Sequence, residues 1–312
     1  MTMKNASSLR IGIDLGGTKI AGVALLPDDR VVAELRIPAP RDDYATTLTA
    51  IRGLVQELEA AAGGRGSVGL GMPGSISPAT GLAQGANSTW LNGRPIDRDL
   101  AECLDRQVRL ANDANCFALS EAADGAAAGA SSVFGVILGT GCGGGIVLGG
   151  RLIDGPRGIS GEWGHNPLPW PSADEVPGPR CWCGRYGCME TWVSGPALEA
   201  DHARYAGARI SGADIAALAR AGDSAAQASL DRHAGRLARG LAHVINLIDP
   251  DVIVFGGGLS QLAHLYEVLP ALITPYVFAD HARVDIRPPR WGDASGVRGA
   301  ARLWSLSECQ ET

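Results

Sequence analysis

Lysines and arginines form no block anywhere in this 312-residue chain, and the formal net charge is −6. The clustered cations that neutralise phosphates on a nucleic-acid surface are missing, so a nucleic-acid partner is not expected. No apolar run reaches the ~18 residues of a membrane span. The opening "MTMKNASSLR" has no apolar core for a secretory signal, and a cytoplasmic enzyme is the expectation. No Gly-Lys pair occurs, which excludes a P-loop. There is no tandem repeat of short period, and low complexity is confined to the Ala/Gly-rich stretch 122–130.

What the chain has in excess is glycine, 43 of 312 residues, roughly twice average usage. The glycines gather at strand ends, where backbone approaches a ligand or turns with positive φ. With 46% hydrophobic and 19% charged residues, the chain can bury a sizeable core, and its length suggests two domains. In a reducing compartment the seven cysteines read as thiols or metal ligands rather than a disulfide framework.

The pattern opens as a β-meander, with apolar runs at 9–14, 19–26 and 30–37. Helical periodicity follows over 44–62, then "SVGLGMPG" as strand and loop, 97–106 as helix and "QVRLAND" as strand. "ANCFALSEAADGAAAG" reads as a helix closed by Gly129. The pattern then restarts: 132–150 is again strand, glycine turn, strand. A Gly/Cys/Trp-rich stretch at 160–190, a long helix at 223–248, the strand "DVIVFGGGLS" and a final helix in "DASGVRGAARLW" complete it.

"GTGCGG" (139–144) matches G-x-G-x-x-G, but a strand follows it where a dinucleotide site needs a helix. What remains is phosphate held by backbone N–H groups in two hairpin turns. Gly16, Gly17 and Thr18 form the first, and Thr140, Gly141 and Gly143 the second. Asp14, at the end of the first strand, suits Mg²⁺ held through water. Ordinary tight hairpins are the plainer alternative. Cys181, Cys183 and Cys188 with His165 upstream make a set fit for a closed, structural Zn²⁺ site, with free buried thiols as the alternative. Gly256, Gly257 and Gly258 offer a flat surface for adenine or ribose, or a sharp strand-to-helix turn. Cys103, Cys116, Cys142 and Cys309 lack partner spacing and read as small apolar packing residues.

"IGIDLGGTKIAG", "LANDANC", "LGTGCGGGIV", "GEWGH", "CWCGRYGCMET" and "DPDVIVFGGGLS" resemble, in order and over nearly the whole chain, motifs of the ROK family of sugar kinases and related repressors. The resemblance implies an α/β, two-lobed actin-like ATPase (ribonuclease H-like) fold, with mixed sheets flanked by helices and a zinc-containing insert in the second lobe. Residues 1–121 plus 294–312 would form the N-terminal lobe, and 122–293 the C-terminal lobe. ATP, Mg²⁺ and Zn²⁺ are the implied cofactors, and a homodimer the implied assembly.

By the same resemblance Asp113 is the general base, since a sugar hydroxyl is a poor nucleophile. A plain helix N-cap is the other reading of that residue. Asn87, Asn112, Asp113, Glu162, His165 and Glu190 would bind the sugar, the glycines 256–258 the adenosine, and His165 with the three cysteines the zinc. "ANSTWLNGRP" and "GEWGHNPLPW" look most like the bacterial fructokinase (manno(fructo)kinase) branch. The expected reaction is therefore ATP-dependent phosphorylation of D-fructose at its 6-hydroxyl, with mannose second. An N-acetylhexosamine kinase or glucokinase is the alternative. A sugar-sensing repressor is not expected, because only about ten residues precede the first strand.

Overall fold

The structure is a computed structural model that describes residues 9–281 and 283–310. The stretch 1–8, on which the reading of the leader rests, lies outside the described residues. The chain divides into two compact units, Met1–Ser120 with Leu152–Ser160 and Asp293–Thr312, and Glu121–Arg151 with Gly161–Gly292.

The first unit is built on the expected meander, β1 (Arg10–Leu15), β2 (Lys19–Leu25) and β3 (Val31–Pro38). It continues through α1 (Tyr44–Ala62), β4 (Ser67–Met72), the two-residue strands β5 (Ser75–Ile76) and β6 (Ala83–Gln84), α2 (Ile96–Leu104), β7 (Val108–Asn112) and the start of α3 (Asp113–Ala123). The five-stranded sheet runs β3-β2-β1-β4-β7. β1 pairs antiparallel with β2 and parallel with β4, and β4 pairs parallel with β7. That register sets Asp14 opposite Gly71 and Met72 opposite Asn112. The residues that end the parallel strands thus share one end of the sheet, where open α/β sheets place ligands.

Asp43 starts α1 by accepting a hydrogen bond from Thr46 N, and Gly63 at φ +74° ends it. Ile51, Leu54, Val55 and Leu58 recur at helical spacing and bury one face of α1 in the core that also holds Ile11, Ile13 and Leu70. On the other side the C-terminal helix Ser295–Ala301 lies directly on β1 and β4. A Cβ at Gly12 or Gly69 would run into the carbonyls of Val297 and Ala300, so backbone packs on backbone there.

The second unit repeats the plan with β8 (Ser132–Leu138), β9 (Cys142–Leu148), β10 (Arg151–Leu152), β11 (Val252–Gly256) and β12 (Ile286–Arg287), in the order β10-β9-β8-β11-β12. β8 is again antiparallel to its hairpin partner β9 and parallel to β11. Its helices are α4 (Glu190–Val193), α5 (Gly195–Ala206), α6 (Gly212–Arg220), α7 (Ser224–Ile248) and α8 (Ala263–Ile273). Leu230, Ala234, Leu237 and Leu241 carry the buried stripe of α7 into the core around Phe134 and Phe255. Among the described residues no helix is long and apolar enough to cross a membrane.

Three expectations need correction. The segment Leu152–Ser160, expected with the second lobe, groups with the first unit. Asp154 accepts a hydrogen bond from Asn115 Nδ2, and Gly158 lies against Ile76 and Ser75. α3 stops at Ala123 instead of running to Gly129, because Glu121 turns its carboxylate onto Ala126 N at 2.7 Å. The last helix ends at Ala301, short of Trp304.

His233 on α7 yields a stability prediction. Its Nε2–H donates to the Val193 carbonyl at 3.0 Å, and burial above all pushes its pKa down to about 4 from 6.5. Above pH 6.5 the ring is neutral folded or unfolded and contributes nothing. As pH falls from 6.5 to 4, only the unfolded chain takes up the proton, so folding loses on the order of 3 kcal/mol. Thermal unfolding at pH 7.5 and 5 should show about 2 kcal/mol of that loss, and His233→Gln should flatten it. An equally steep decline in the variant would refute the assignment.

Candidate active site

β7 ends at Asn112 and α3 begins at Asp113, so strand, turn and helix together fix both side chains. Asn112 Oδ1 and Asp113 Oδ1 both accept from Ala114 N, at 2.9 and 2.8 Å. Asn112 Nδ2 donates to Gly74 O at 3.2 Å. The cap position before α3 is therefore Asn112's, and Asp113 is the first residue of the helix, not its N-cap. Asp113 has an exposed surface, yet the protein mass around it raises its pKa, with the bonds to Ala114 and Asn112 opposing. Asp14 stands at the end of β1, half-buried, with the Cβ position of Gly296 3.2 Å from its Oδ2. Burial first, then the Asp113 charge, pushes Asp14 up to about 7, with Lys19 opposing. Two carboxylates that disfavour each other's charge are the setting in which a divalent cation binds.

Gly16, Gly17 and Thr18 form the β1–β2 turn, closed by Gly16 N–H donating to Lys19 O at 3.0 Å. Neither glycine has positive φ, and the nearest atom to a Cβ at Gly17 would be Ser88 Oγ at 3.8 Å. The turn does not itself demand glycine at 17, and the space outside it is open. Asn87 is exposed next to Ser88 and so lies near this turn. Lys19 forms an exposed ion pair with Asp293 at 3.2 Å.

In the second unit Thr140, Gly141 and Gly143 lie in and beside the β8–β9 turn, where Gly139 N–H donates to Gly141 O at 3.0 Å. Nothing lies within 4 Å of a Cβ built at Gly139 or Gly258. Of Gly256, Gly257 and Gly258 only Gly257 has positive φ, +78°, and its Cβ would meet Leu138 O at 2.5 Å. One glycine makes the turn; Gly256 closes the strand, and Gly258 leaves open surface.

His165, Cys181, Cys183 and Cys188 converge, their ligand atoms all within 4.8 Å of one another. Cys181 Sγ lies 3.6 Å from His165 Nδ1, and Cys183 Sγ 3.6 Å from Cys188 Sγ. Tetrahedral zinc with Zn–S bonds near 2.3 Å places sulfurs about 3.8 Å apart, so the donor set fits that ion. Among the described residues all seven cysteines are free thiols, and burial pushes those of Cys116 and Cys142 well up, in keeping with packing roles. Glu162 leads into the 3-10 turn Trp163–His165, where residues three apart eclipse, so Glu162 and His165 face one way.

Glu190 is more heavily engaged than its expected sugar-binding role suggests. Its Oε2 accepts from Cys142 N at 3.0 Å and its Oε1 from Trp182 Nε1 at 2.7 Å. Trp182 also meets the His165 ring edge-on, centroids 5.0 Å apart. Sequence reasoning passed over Trp182; its place between two cysteines of the candidate metal set was the available signal. Trp182→Phe keeps the ring but frees Glu190, and should raise the sugar KM about tenfold with bound zinc unchanged. An unchanged KM would make the indole N–H incidental.

The ROK family model matches residues 10–306. This chain belongs to the ROK family. It is 42% identical over 301 residues to N-acetyl-D-glucosamine kinase of Escherichia coli O6:H1, covering 94% of this chain and 98% of the relative. The structure of a ROK hexokinase from Thermus thermophilus is similar at a TM-score of 0.85 and 34% identity, covering 97% and 100% of the two chains. A ROK glucokinase from Streptomyces griseus, in complex with glucose and AMPPNP, gives 0.76 and 28%, covering 95% and 98%. These ROK relatives carry the mixed α/β, actin-like ATPase fold expected from the motifs. The expected preference for fructose finds no support in them, and the ROK relative at 42% identity points to the alternative.

Proposed function

We propose that the chain transfers the γ-phosphoryl group of ATP to the 6-hydroxyl of a hexose, with N-acetyl-D-glucosamine rather than D-fructose as the preferred acceptor. The observation that carries the reaction type is Asp113, an exposed carboxylate of raised pKa at the end of a parallel strand, oriented by Ala114 N–H. The hydroxyl proton passes to Asp113 while the hydroxyl oxygen attacks the γ-phosphorus and ADP leaves. Asn112 holds the Gly74 loop, and with Asn87, Glu162 and His165 it supplies short polar groups for ring hydroxyls. Identity of 42% over nearly the full length with an N-acetyl-D-glucosamine kinase supports the choice of sugar.

The backbone N–H groups around Gly16, Gly17 and Thr18, and around Thr140, Gly141 and Gly143, would receive phosphate oxygens, and the surface at Gly256–Gly258 the adenosine. Asp14 would hold Mg²⁺, which when bound neutralises charge on the phosphates. Zinc on His165 Nδ1 and the three cysteines would fix the 181–188 loop without entering the chemistry, and leave His165 Nε2 for the sugar. A homodimer remains part of the proposal.

The test is ADP release from Mg-ATP against N-acetyl-D-glucosamine, N-acetyl-D-mannosamine, D-glucose, D-mannose and D-fructose. Highest kcat/KM with N-acetyl-D-glucosamine is the expected result. Highest turnover with glucose or fructose would keep the reaction and overturn the specificity; none with any sugar would overturn both.

A further inference from the structure

We propose that a cavity of about 200 Å³ in the first unit receives the acetamido group of the acceptor, and that Asn115 recognises it. This rests on the reading above and assigns the part of the molecule that would separate an N-acetylated sugar from a plain hexose. The cavity opens beside Asn112, the neighbour of Asp113, at the ends of β4 and β7. Met72, Ile76 and Leu110 give it an apolar wall; Ser75, Asn115 and Asp154 give it polar groups.

Asn115 is the telling residue. It sits in the first turn of α3 and is only 5% exposed. Its Nδ2 donates to Asp154 Oδ1 at 3.2 Å, which fixes the orientation of the amide, because a carboxylate cannot pair with a carbonyl oxygen. Its Oδ1 then has no partner among the described residues. A buried acceptor left unpaired is costly, and such groups in native proteins normally meet a donor. Asp154 is itself shifted up by burial, the mark of a partly desolvated polar cluster.

An acetamido group brings three features, a donating N–H, an accepting carbonyl and a methyl. The N–H answers Asn115 Oδ1. Ser75 Oγ already accepts from Gln84 Nε2 at 3.3 Å, so its own proton is free for the acetyl oxygen. The methyl lies on the Met72, Ile76 and Leu110 wall. A glucose 2-hydroxyl could reach the acceptor but would leave that wall facing water. An unacetylated amine would bring a charge to it, which is worse. Gly155 and Gly158, both at positive φ, also line the cavity and add no side chains to it. The space therefore exceeds one acetyl group, and somewhat longer acyl chains should enter.

The experiment measures kcat/KM for N-acetyl-D-glucosamine, its N-propanoyl and N-butanoyl homologues, and D-glucose. It uses wild type and Asn115→Leu. In wild type the N-propanoyl sugar should stay within about tenfold of the acetyl sugar, since one methylene in a pocket changes kcat/KM by no more than 10–200-fold even when it fits badly. In Asn115→Leu the acetyl-to-glucose ratio should fall by roughly 10- to 100-fold. An unchanged ratio in a folded variant overturns the inference, as does rejection of both homologues by wild type; the homologue series covers a variant that fails to fold. A wild type that uses glucose or fructose but never the acetylated sugar overturns the parent reading instead.

Discussion

Asp113→Asn should lower kcat by 10²- to 10⁴-fold, the usual contribution of a positioned general base, while the sugar KM moves by less than about tenfold. Asparagine keeps the oxygen that accepts from Ala114 N, so the start of α3 and the Tm should survive. What it loses is the capacity to take a proton. The wild-type pH profile supplies an independent check. A base must be deprotonated to act, and burial raises this one, so kcat/KM should fall on the acid side at a pH above the ordinary carboxylate range. Asp14, pushed up to about 7 without a cation, should return to the ionised form as Mg²⁺ rises, shifting the acid limb to lower pH. A variant retaining more than a tenth of wild-type kcat would remove Asp113 from the chemistry and leave it as a structural residue of the first turn of α3.

Cys183→Ser should release the zinc and lower the Tm by something on the order of 10 °C. A structural zinc site contributes folding free energy directly, about 10–16 kcal/mol in peptides that have no other core. Here α7 and the Phe134 core already hold the second unit, so a fraction of that should appear, at roughly 2–4 °C per kcal/mol for a unit of this size. The sugar KM should rise more than the ATP KM, because His165 and the Trp182 contact to Glu190 both depend on the 181–188 loop. Metal analysis of the purified protein, with melting curves before and after a strong chelator, decides the matter. Protein without zinc, or an unchanged Tm after chelation, would leave the three thiols as packing residues.

Local order in the chain announced much of this. Asp43, Gly63 and the Ile51–Leu58 spacing mark α1 without reference to anything else, and the strands flanking Gly16-Gly17 and Gly139–Gly141 read as hairpins from alternation and glycine alone. The cysteine spacing named the metal set, and the structure brings those four residues together. Other features were closed to such reading. Glu121 ends α3 through a side chain folding onto Ala126 N, a contact no periodicity encodes. That the two oxygens of Glu190 accept from Cys142 N and Trp182 Nε1, forty-eight and eight residues away in sequence, is not written in its motif. Gly12 and Gly69 lie in runs that read as strands, and nothing along the chain shows that the C-terminal helix touches the sheet at them.

The element order, the two glycine hairpins, the acid that follows β7, the Cys/His donor set and the family are all legible along the chain. These are properties of neighbours along the chain, where spacing and residue chemistry act directly. Which residues share an end of a sheet, that Leu152–Ser160 joins the first unit, and that Asn115 Oδ1 lacks a partner among the described residues beside a cavity all arise from packing across the fold. Parallel pairing of β1, β4 and β7 brings together residues up to a hundred positions apart, and burial then sets their pKa values. Neither pairing nor desolvation is a local quantity, and the substituent on the sugar is read by groups that only pairing and burial assemble.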